Sequence, residues 1–461
     1  MNSRKGIFIM LMGMFFISHF VFAQRYLPSA VPDRVILTWK DDPAHSQAVT
    51  WRTSIYASGS AAQIAVASAT PDFPKSAITI PATDDFLNAE GLVALYHSVN
   101  FSGLQPSTKY AYRVGNDSAW SEWFHFTTAS EKPGPFSFIY FGDAQNDLKS
   151  LWSRAIREAY TKAPGADFMI HAGDLVNRGR SDAEWGEWFY AGGWIYGMLP
   201  SLPVPGNHEY GKRSPEATTR ELTPHWDKLF TLPENGPEGL ERSVYYTDFQ
   251  GTRFISLDTQ AFFENEKAQK SQIDWLETVL KNNPMRWTVV VHHHPIYSPA
   301  FGRDNPELRA AFKPLYDKYG VDLVLQGHDH TYGRGGNETH GARVKAKSGP
   351  VYVVSVSGPK MYISGFEDWM DNAAVNLQLY QVVHISNDSL KYEAFTVTGE
   401  LYDAFTLVKE KNRSNTFYDL TPAGMPIFGD LPPRYIQNMD TVEVKEYQTR
   451  FQQFKKRTGR E

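Results

Sequence analysis

Five short polar runs constrain the fold of this chain more than any other feature of its sequence, because each follows a hydrophobic, β-rich run. The hydrophobic runs are 136–141, 167–170, 198–203, 288–291 and 321–325. The polar runs are Gly142-Asp143, Gly173-Asp174, Gly206-Asn207-His208-Glu209, His292-His293-His294-Pro295 and Gly327-His328-Asp329-His330. Polar side chains that follow buried strands meet at one edge of the sheet in layered α/β proteins. The sequence therefore predicts a site assembled at such an edge.

The residue types in these runs predict a metal site. They supply carboxylates, an amide oxygen and imidazoles, which hard and borderline metal ions prefer. Paired ions about 3.5–4 Å apart, bridged by a carboxylate, clamp both oxygens of a phosphoryl transfer. A single Asp or His is most often structural, but five such runs together favour a metal centre. The candidate ligands are Asp143, Asp174, Asn207, His293, His328 and His330.

The composition is that of an ordinary globular protein. A length of 461 residues predicts two or three domains, and 42% hydrophobic residues can form a sizeable core. The net charge of −5, with no long basic run before the C-terminal residues, gives no indication of a nucleic-acid partner. The sequence contains no cysteine, so disulfides cannot stabilise it.

The first 23 residues are predicted to be a secretory signal peptide. Arg4 and Lys5 precede an apolar run at 7–22, and Ala23 offers a small residue for cleavage before Gln24. The alternative is a membrane anchor, but the run is short against the roughly 20 residues that a spanning helix needs. We expect an exported protein, periplasmic or secreted, with no stable membrane insertion after cleavage.

Residues 24–131 are predicted to form an all-β sandwich of seven strands, because short alternating runs rich in aromatic and β-branched residues are separated by polar turns. A linker at 131–135 precedes an α/β domain at 135–409, in which strands alternate with helices. Its late strands are expected to complete the second of two packed sheets. The predicted helices are 148–162, 182–196, 270–282 with Ser271 as N-cap, and 305–318. The tail, 410–461, is expected to be extended or disordered.

The five motifs resemble those of calcineurin-like metallophosphoesterases. The sandwich and the run 327–334 resemble plant-type purple acid phosphatases, and residues 103–114 resemble a corner of fibronectin type III domains. The resemblance covers about 32–409. It implies an all-β sandwich followed by an α/β metallophosphoesterase domain, in which two mixed sheets pack together and are flanked by helices.

The resemblance also implies a dinuclear centre of two divalent or trivalent ions. One ion would be held by Asp143, Asp174 and His330. The other would be held by Asp174, Asn207, His293 and His328. His293 is preferred to its histidine neighbours because the family's ligand lies two residues before the proline.

Two departures from the family pattern leave the metal open between iron, zinc and manganese. Purple acid phosphatases carry an iron-binding tyrosine at the position of Asn177, and many metallophosphoesterases carry a histidine ligand at that of Gln145. Each amide either completes the coordination or supports a ligand. Without a phenolate, no purple charge-transfer band is expected.

Further site residues follow from the same resemblance. His208 would stabilise the transition state or protonate the leaving group, oriented by Glu209 or Asn177. Arg178 is either a phosphate ligand or part of a surface ion pair. His294 either lines the pocket, near substrate phosphate, or supports a ligand. Tyr332 and Arg334 would face the pocket, while the aromatic segment 185–196 is expected to be core rather than a substrate wall.

The function that follows is acid phosphatase-like hydrolysis of small phosphomonoesters by hydroxide held at the two ions. One alternative is a phosphodiesterase or nucleotide pyrophosphatase with the same site. Another, of a different class, is a non-enzymatic extracytoplasmic binding protein that uses the sandwich.

Overall fold

The computed structural model of this chain describes residues 26–57, 59–336, 343–411 and 414–459. The predicted signal peptide, 1–23, lies outside the described residues. Within the described ranges, no helix combines the length and apolar character that a membrane crossing requires.

The N-terminal region is a β-sandwich of two antiparallel sheets. One sheet has four strands, in the spatial order Asp33–Thr38, Ser46–Thr53, Leu92–Ser102 and Thr83–Ala89. The other has five, which are Ile78–Pro81, Ala61–Val66, Lys109–Asn116, Ala119–Trp120 and Phe124–Thr127. The described part therefore contains nine strands rather than seven. Strands of two and four residues, such as Ala119–Trp120 and Ile78–Pro81, are too short to show a clear alternation in the sequence.

The first sheet of the α/β region has eight strands and carries three of the polar runs. Its spatial order is Ser201–Pro203, Phe168–His171, Phe136–Phe141, Leu379–Ile385, Ser389–Thr396, Leu401–Lys409, Asn415–Asp419 and Val344–Ser348. The first three of these strands are parallel. Their carboxyl ends therefore point to the same edge.

The second sheet has seven strands and carries the other two runs. Its spatial order is Tyr245–Phe249, Thr252–Leu257, Trp287–His292, Leu323–Gln326, Val351–Val354, Tyr332–Gly336 and Met370–Ala374. Every residue of Trp287–His292 is buried, as expected for a parallel strand covered on both faces. The late strands do not all complete one sheet as expected. Val351–Val354 joins this sheet, whereas the strands at 379–409 join the first.

Aromatic packing joins the two sheets. The ring of Phe138 lies 5.2 Å from Phe168 in its own sheet and 5.4 Å from Phe254 in the other. The hydroxyl of Tyr140 accepts a hydrogen bond from the backbone N–H of Gln326 at 3.1 Å. Gln326 immediately precedes one polar run, and Tyr140 lies two residues before another. This hydrogen bond therefore joins the two sheets where the site forms.

The four predicted helices are present with different boundaries, and the structure adds helices that the sequence analysis did not predict. Within the described residues the α-helices are Ser153–Lys162, Asp182–Gly192, Pro224–Leu229, Thr259–Glu264, Glu266–Lys281, Pro306–Tyr319, Pro433–Ile436 and Thr441–Thr458. A π-helical turn, Leu148–Trp152, and short 3₁₀ helices, Phe73–Ser76 and Gly193–Ile195, complete the set. Ser271 is not an N-cap. Asn265 caps that helix by accepting from the backbone N–H groups of Lys267 and Ala268, so Ser271 lies inside it.

The expectation of an extended or disordered tail holds for its first strand but is wrong for its helices. Asn415–Asp419 pairs within the first sheet, and Thr441–Thr458 is a helix that begins with a capping box between Asp440 and Glu443. The helix buries Tyr447 and Phe454, and it packs against Phe366. Its polar composition conceals this contact, because two aromatic residues provide most of the buried face.

Candidate metal centre

The six candidate ligands converge on one point where the two sheets meet. Asp143, Asp174 and Asn207 follow the three parallel strands of the first sheet, and the three histidines follow strands of the second. Two groups have ligand atoms within 4.8 Å of one another: Asp174 with His293 and His328, and Asp143 with Asp174 and His330. The amide oxygen of Asn207 lies 2.9 Å from His328 Nδ1 and 3.0 Å from His293 Nε2. Only Asp174 belongs to both groups.

The local backbone explains the glycines of the motifs. A Cβ at Gly206 would lie 2.2 Å from Asp174 Oδ1, and one at Gly327 would lie 2.5 Å from Asp143 Oδ2. Asp174 and His328 themselves adopt left-handed conformations, with φ of 52° and 71°. Such conformations are costly for residues with a Cβ and cluster at functional sites. The loops are therefore shaped to bring these two side chains inward at some cost in backbone energy.

Backbone carbonyls fix the orientation of two histidines. His293 Nδ1 lies 2.9 Å from the carbonyl of Ala172, and His330 Nδ1 lies 3.0 Å from that of Lys360. Each Nδ1 therefore donates its hydrogen outward, which leaves Nε2 facing the site, an arrangement common in metal-binding histidines. His328 is turned the other way, so that its Nδ1 faces Asn207 and its Nε2 contacts Arg303.

Burial and the short distances between the candidate ligands shift the pKa values of Asp174, His293 and His330. Burial disfavours ionisation of Asp174, but the imidazole of His293, 3.3 Å away, outweighs it and lowers the Asp174 pKa. Burial opposes a charge on His293 too, yet the two aspartates raise its pKa to about 9. Burial lowers the pKa of His330 to about 3. A cation entering the site would therefore displace a proton from His293 and find His330 neutral.

The donor set fits a pair of metal ions. Among the described residues, no hydrogen-bond donor reaches two buried oxygens of the site, Asp143 Oδ1 and Gln145 Oε1. Buried acceptors without donors are costly unless another positive group satisfies them. The amide nitrogen of Gln145 lies 3.0 Å from Asp174 Oδ2 and 2.9 Å from His330 Nε2. Gln145 therefore lies at the centre itself, and its choice between ligand and supporting role stays open.

His208 lies at the rim of the centre and is held from two sides. Its backbone N–H donates to Asp174 Oδ1 at 2.8 Å, and its Nδ1 lies 2.6 Å from the backbone carbonyl of Asn177. Its Nε2 lies 3.9 Å from Asp174 Oδ2, and a quarter of the side chain is exposed. This geometry leaves Nε2 free for a bound substrate. Asn177 thus contacts His208 through its main chain.

Glu209 organises the loops instead of orienting His208. Its buried carboxylate accepts from the backbone N–H groups of Asp174, Leu175 and Gly206 at 2.8–2.9 Å. It thereby ties the second polar run to the third. Burial raises its pKa to about 7, against the lowering effect of these donors.

The two alternatives stated for Arg178 and for His294 are distinguished by their contacts. Arg178 is exposed and forms an ion pair with Glu184 at 2.7 Å, which is the surface alternative. His294 is buried, 2.9 Å from Thr259 Oγ1, with its ring 4.1 Å from that of His328. It therefore packs behind a candidate ligand.

The prediction that Tyr332 and Arg334 face the pocket was wrong. Both are fully buried between the sheets, where they bind Asp403 at 2.6 and 2.8 Å. They begin a strand whose side chains point into the interior. In the segment 185–196, Trp185 and Trp188 are buried, as expected of core residues, whereas Tyr190 and Trp194 are exposed, against that expectation.

Three residues that contact the centre were not anticipated from the sequence. Arg303 contacts His328 Nε2, the ring of Tyr362 lies 4.8 Å from that of His330, and Arg220 donates to the backbone carbonyl of Asn207. None belongs to a polar run at a strand end. Only long-range contacts place them here.

Comparisons with known proteins match both parts of the chain. Residues 136–332 match the calcineurin-like phosphoesterase family, and residues 32–128 match the purple acid phosphatase N-terminal domain. The chain therefore contains a calcineurin-like metallophosphoesterase domain preceded by a purple acid phosphatase N-terminal domain. This confirms the predicted family and fold class.

Relatives of this metallophosphoesterase include acid phosphatases of animals and plants. It is 27% identical over 385 residues to acid phosphatase type 7 of Danio rerio, covering 71% of this chain and 81% of that protein. It is 26% identical over 313 residues to purple acid phosphatase 15 of Arabidopsis thaliana, covering 59% and 56%. A purple acid phosphatase structure from yellow lupin matches with a TM-score of 0.69 at 18% identity, covering 83% of this chain and 75% of that one. The structural match supports the fold.

Proposed function

We propose that this metallophosphoesterase hydrolyses small phosphomonoesters at a dinuclear metal centre. The observation that carries the proposal is the pair of candidate ligand groups that share only Asp174. A shared carboxylate between two ligand sets is the arrangement that two-metal phosphoryl transfer requires. The names of the acid phosphatase relatives agree with it.

The chain's own residues supply the binding set and one proton donor. Asp143, Asp174 and His330 would hold one ion; the other would be held by Asp174, Asn207, His293 and His328. When bound, two cations supply Lewis-acid activation of the phosphoryl group and lower the pKa of water. The donor set fits iron, zinc and manganese alike, and no residue in it selects between them.

His208 is the proton donor in this proposal. Its Nδ1–H is held by the carbonyl of Asn177, so a second proton on Nε2 points toward the substrate. When the phosphorus–oxygen bond breaks, the leaving oxygen takes that proton.

The proposal is tested with purified protein, elemental analysis and metal add-back. We expect about two ions per chain and faster hydrolysis of p-nitrophenyl phosphate than of its bis ester. Faster hydrolysis of the bis ester would favour the phosphodiesterase alternative. Protein without metal and without hydrolysis would instead support a binding protein. An Asp174→Asn variant should lose both metal and activity, because both ligand groups depend on this carboxylate.

We also propose that the enzyme acts outside the cytoplasm. The support is the sequence of residues 1–23, which lie outside the described part of the chain. N-terminal sequencing of protein recovered from the extracytoplasmic fraction tests this, and we expect the mature chain to begin at Gln24.

A further inference from the structure

Two cationic side chains flank an aromatic ring beside the candidate metal centre. The guanidinium carbon of Arg303 lies 5.3 Å from the centre of the Tyr362 ring, and Lys360 Nζ lies 5.7 Å from it. Tyr362 is itself fixed, because its backbone N–H donates to the carbonyl of His330 at 2.7 Å. We call Arg303, Lys360 and Tyr362 the cationic cleft.

Arg303 is held in place by a buried carboxylate. Its Nε forms an ion pair at 2.7 Å with Asp329, which is fully buried and also accepts from the hydroxyl of Ser298. Its Nη2 contacts His328 Nε2. Among the described residues no acceptor reaches Nη1, and 38% of the side chain is exposed. Asp329, the variable residue of the Gly-His-x-His motif, therefore presents part of a guanidinium to solvent at the edge of the centre.

Lys360 adds a second positive charge without a counterion. Its backbone carbonyl accepts from His330 Nδ1, which fixes the start of the side chain near this candidate ligand. Within the described residues no carboxylate lies within ion-pair distance of its Nζ. The cleft thus carries two cations and one neutralising carboxylate. An excess of positive charge in a concave site attracts anions.

A cavity next to the cationic cleft is large enough for a small organic group. It measures about 360 Å³ and is lined by Ala300, Phe301, Arg303, Tyr362, Ile363 and Tyr435. Its apolar and aromatic walls suit a carbon skeleton, while the N–H groups of Arg303 Nη1 can donate to an oxygen of an anionic group. Tyr435 comes from the tail, so residues beyond 410 help to form the wall of this cavity.

We propose that the cationic cleft binds a second anionic group of the substrate, a carboxylate or a further phosphate, while the first phosphate occupies the metal centre. The inference rests on the proposed function for the position of that first phosphate. It identifies the preferred substrates as phosphomonoesters whose leaving group is itself negatively charged.

Binding of non-hydrolysable phosphonates to the metal-loaded protein tests the cleft without relying on turnover. Calorimetry compares 4-carboxyphenylphosphonate and 1,4-phenylenebisphosphonate with 4-carbamoylphenylphosphonate, whose second group is uncharged. We expect both compounds with a second anionic group to bind about five-fold more tightly than the carbamoyl compound. This is the gain expected from one partly exposed charge pair. The tighter of the two identifies the preferred second group. Equal affinities of all three compounds would overturn the proposal.

Variants locate the effect within the chain. Lys360→Gln keeps the backbone carbonyl that holds His330, and we expect it to lower the preference about two-fold; adding Arg303→Gln should abolish it. Lys75→Gln, which removes an exposed cation from the sandwich, should leave the preference unchanged. An undiminished preference in both cleft variants would contradict the assignment. Metal content is measured in each variant. If the double variant loses metal, the change in preference of the Lys360→Gln variant alone tests the proposal. Hydrolysis of p-nitrophenyl phosphate is assayed separately. Absence of hydrolysis would refute the proposed function but would not by itself refute anion binding at the cationic cleft.

Discussion

At the scale of single residues, His208 differs from the six candidate ligands in the way it is held. The ligand histidines His293 and His330 are almost completely buried and His328 is partly buried, whereas a quarter of the His208 side chain is exposed. Its Nδ1 is fixed by a backbone carbonyl and its Nε2 has no ligand group within hydrogen-bond distance in the described structure. Such a residue can transfer a proton without being part of the metal-binding set.

Replacement of His208 by alanine should therefore separate chemistry from metal binding. We expect kcat for p-nitrophenyl phosphate to fall by about 10²–10⁴-fold, the usual contribution of a general acid, while metal content stays near that of the wild type. Steady-state kinetics and elemental analysis measure the two effects. His125→Ala, in the sandwich, serves as the control. Full activity at full metal content would exclude the assigned role.

At the scale of elements, the helix Thr441–Thr458 shows how a polar segment becomes part of the fold. Asp440 and Glu443 satisfy its first N–H groups, and Lys455, Lys456 and Arg457 lie near its negative end. Phe454 is fully buried and packs 5.3 Å from Phe366. Because Phe366 follows shortly after Tyr362, the helix also supports the segment that borders the centre.

Truncation of this contact should destabilise the protein. We expect Phe454→Ala to lower the free energy of unfolding by about 3–5 kcal/mol, because it leaves a cavity the size of a phenyl ring. Val442→Ala is the matched control, since Val442 is 71% exposed on the same helix. Urea unfolding measures both. Equal effects of the two substitutions would mean that the helix does not pack as described.

At the scale of the whole molecule, a buried ionic cluster joins the sandwich to the catalytic region. Asp182, which begins a helix after the second polar run, binds Arg34 at 2.8 Å and Arg52 at 3.0 Å. The two arginine side chains are 1–2% exposed. His225 approaches the same carboxylate from the catalytic side at 3.5 Å. The sandwich is thereby fixed to the element that follows the Asp174 loop.

Asp182→Asn should be strongly destabilising at neutral pH, by about 3–5 kcal/mol, because the buried Arg34 guanidinium loses its carboxylate partner and Arg52 keeps only its ion pair with Asp33. Burial disfavours the carboxylate, but His225 and the arginines outweigh it and lower the Asp182 pKa. Its contribution is therefore complete above the unfolded carboxyl pKa of about 4 and is lost on further acidification. Calorimetric unfolding should show that the difference in unfolding free energy between variant and wild type is smaller at pH 3 than at pH 7. A gap that widens at pH 3 would contradict this. Asp72→Asn, at an exposed ion pair, is the control.

Metal removal should also affect the whole molecule. A ligand present at 1,000 times its Kd stabilises the folded state by about 4 kcal/mol, so a chelator should lower Tm by several degrees. Asp174→Asn should respond much less to the chelator, because both ligand groups are already incomplete. Differential scanning calorimetry with and without chelator measures the shift. An identical shift in wild type and variant would place the stabilising metal elsewhere.

Much of the site could be predicted from the sequence because its signals are local. A hydrophobic run followed by Gly-Asp or Gly-His identifies both a strand and the residue at its end, and this signal does not depend on distant residues. Tyr332 and Arg334 show where that reasoning fails. They follow a polar run directly, yet the strand they begin turns inward, and Asp403, about 70 residues further on, neutralises the arginine.

The sequence by itself determined the residue types at the strand ends, the division into a sandwich and an α/β region, and the family. These depend on periodicity and composition within short segments. Only the tertiary structure decided that Glu209 ties two of the loops together, that Arg303 and Tyr362 border the centre, and that the tail helix packs against Phe366. The reason is that these contacts join residues brought together by the packing of two sheets, and no short segment carries that information.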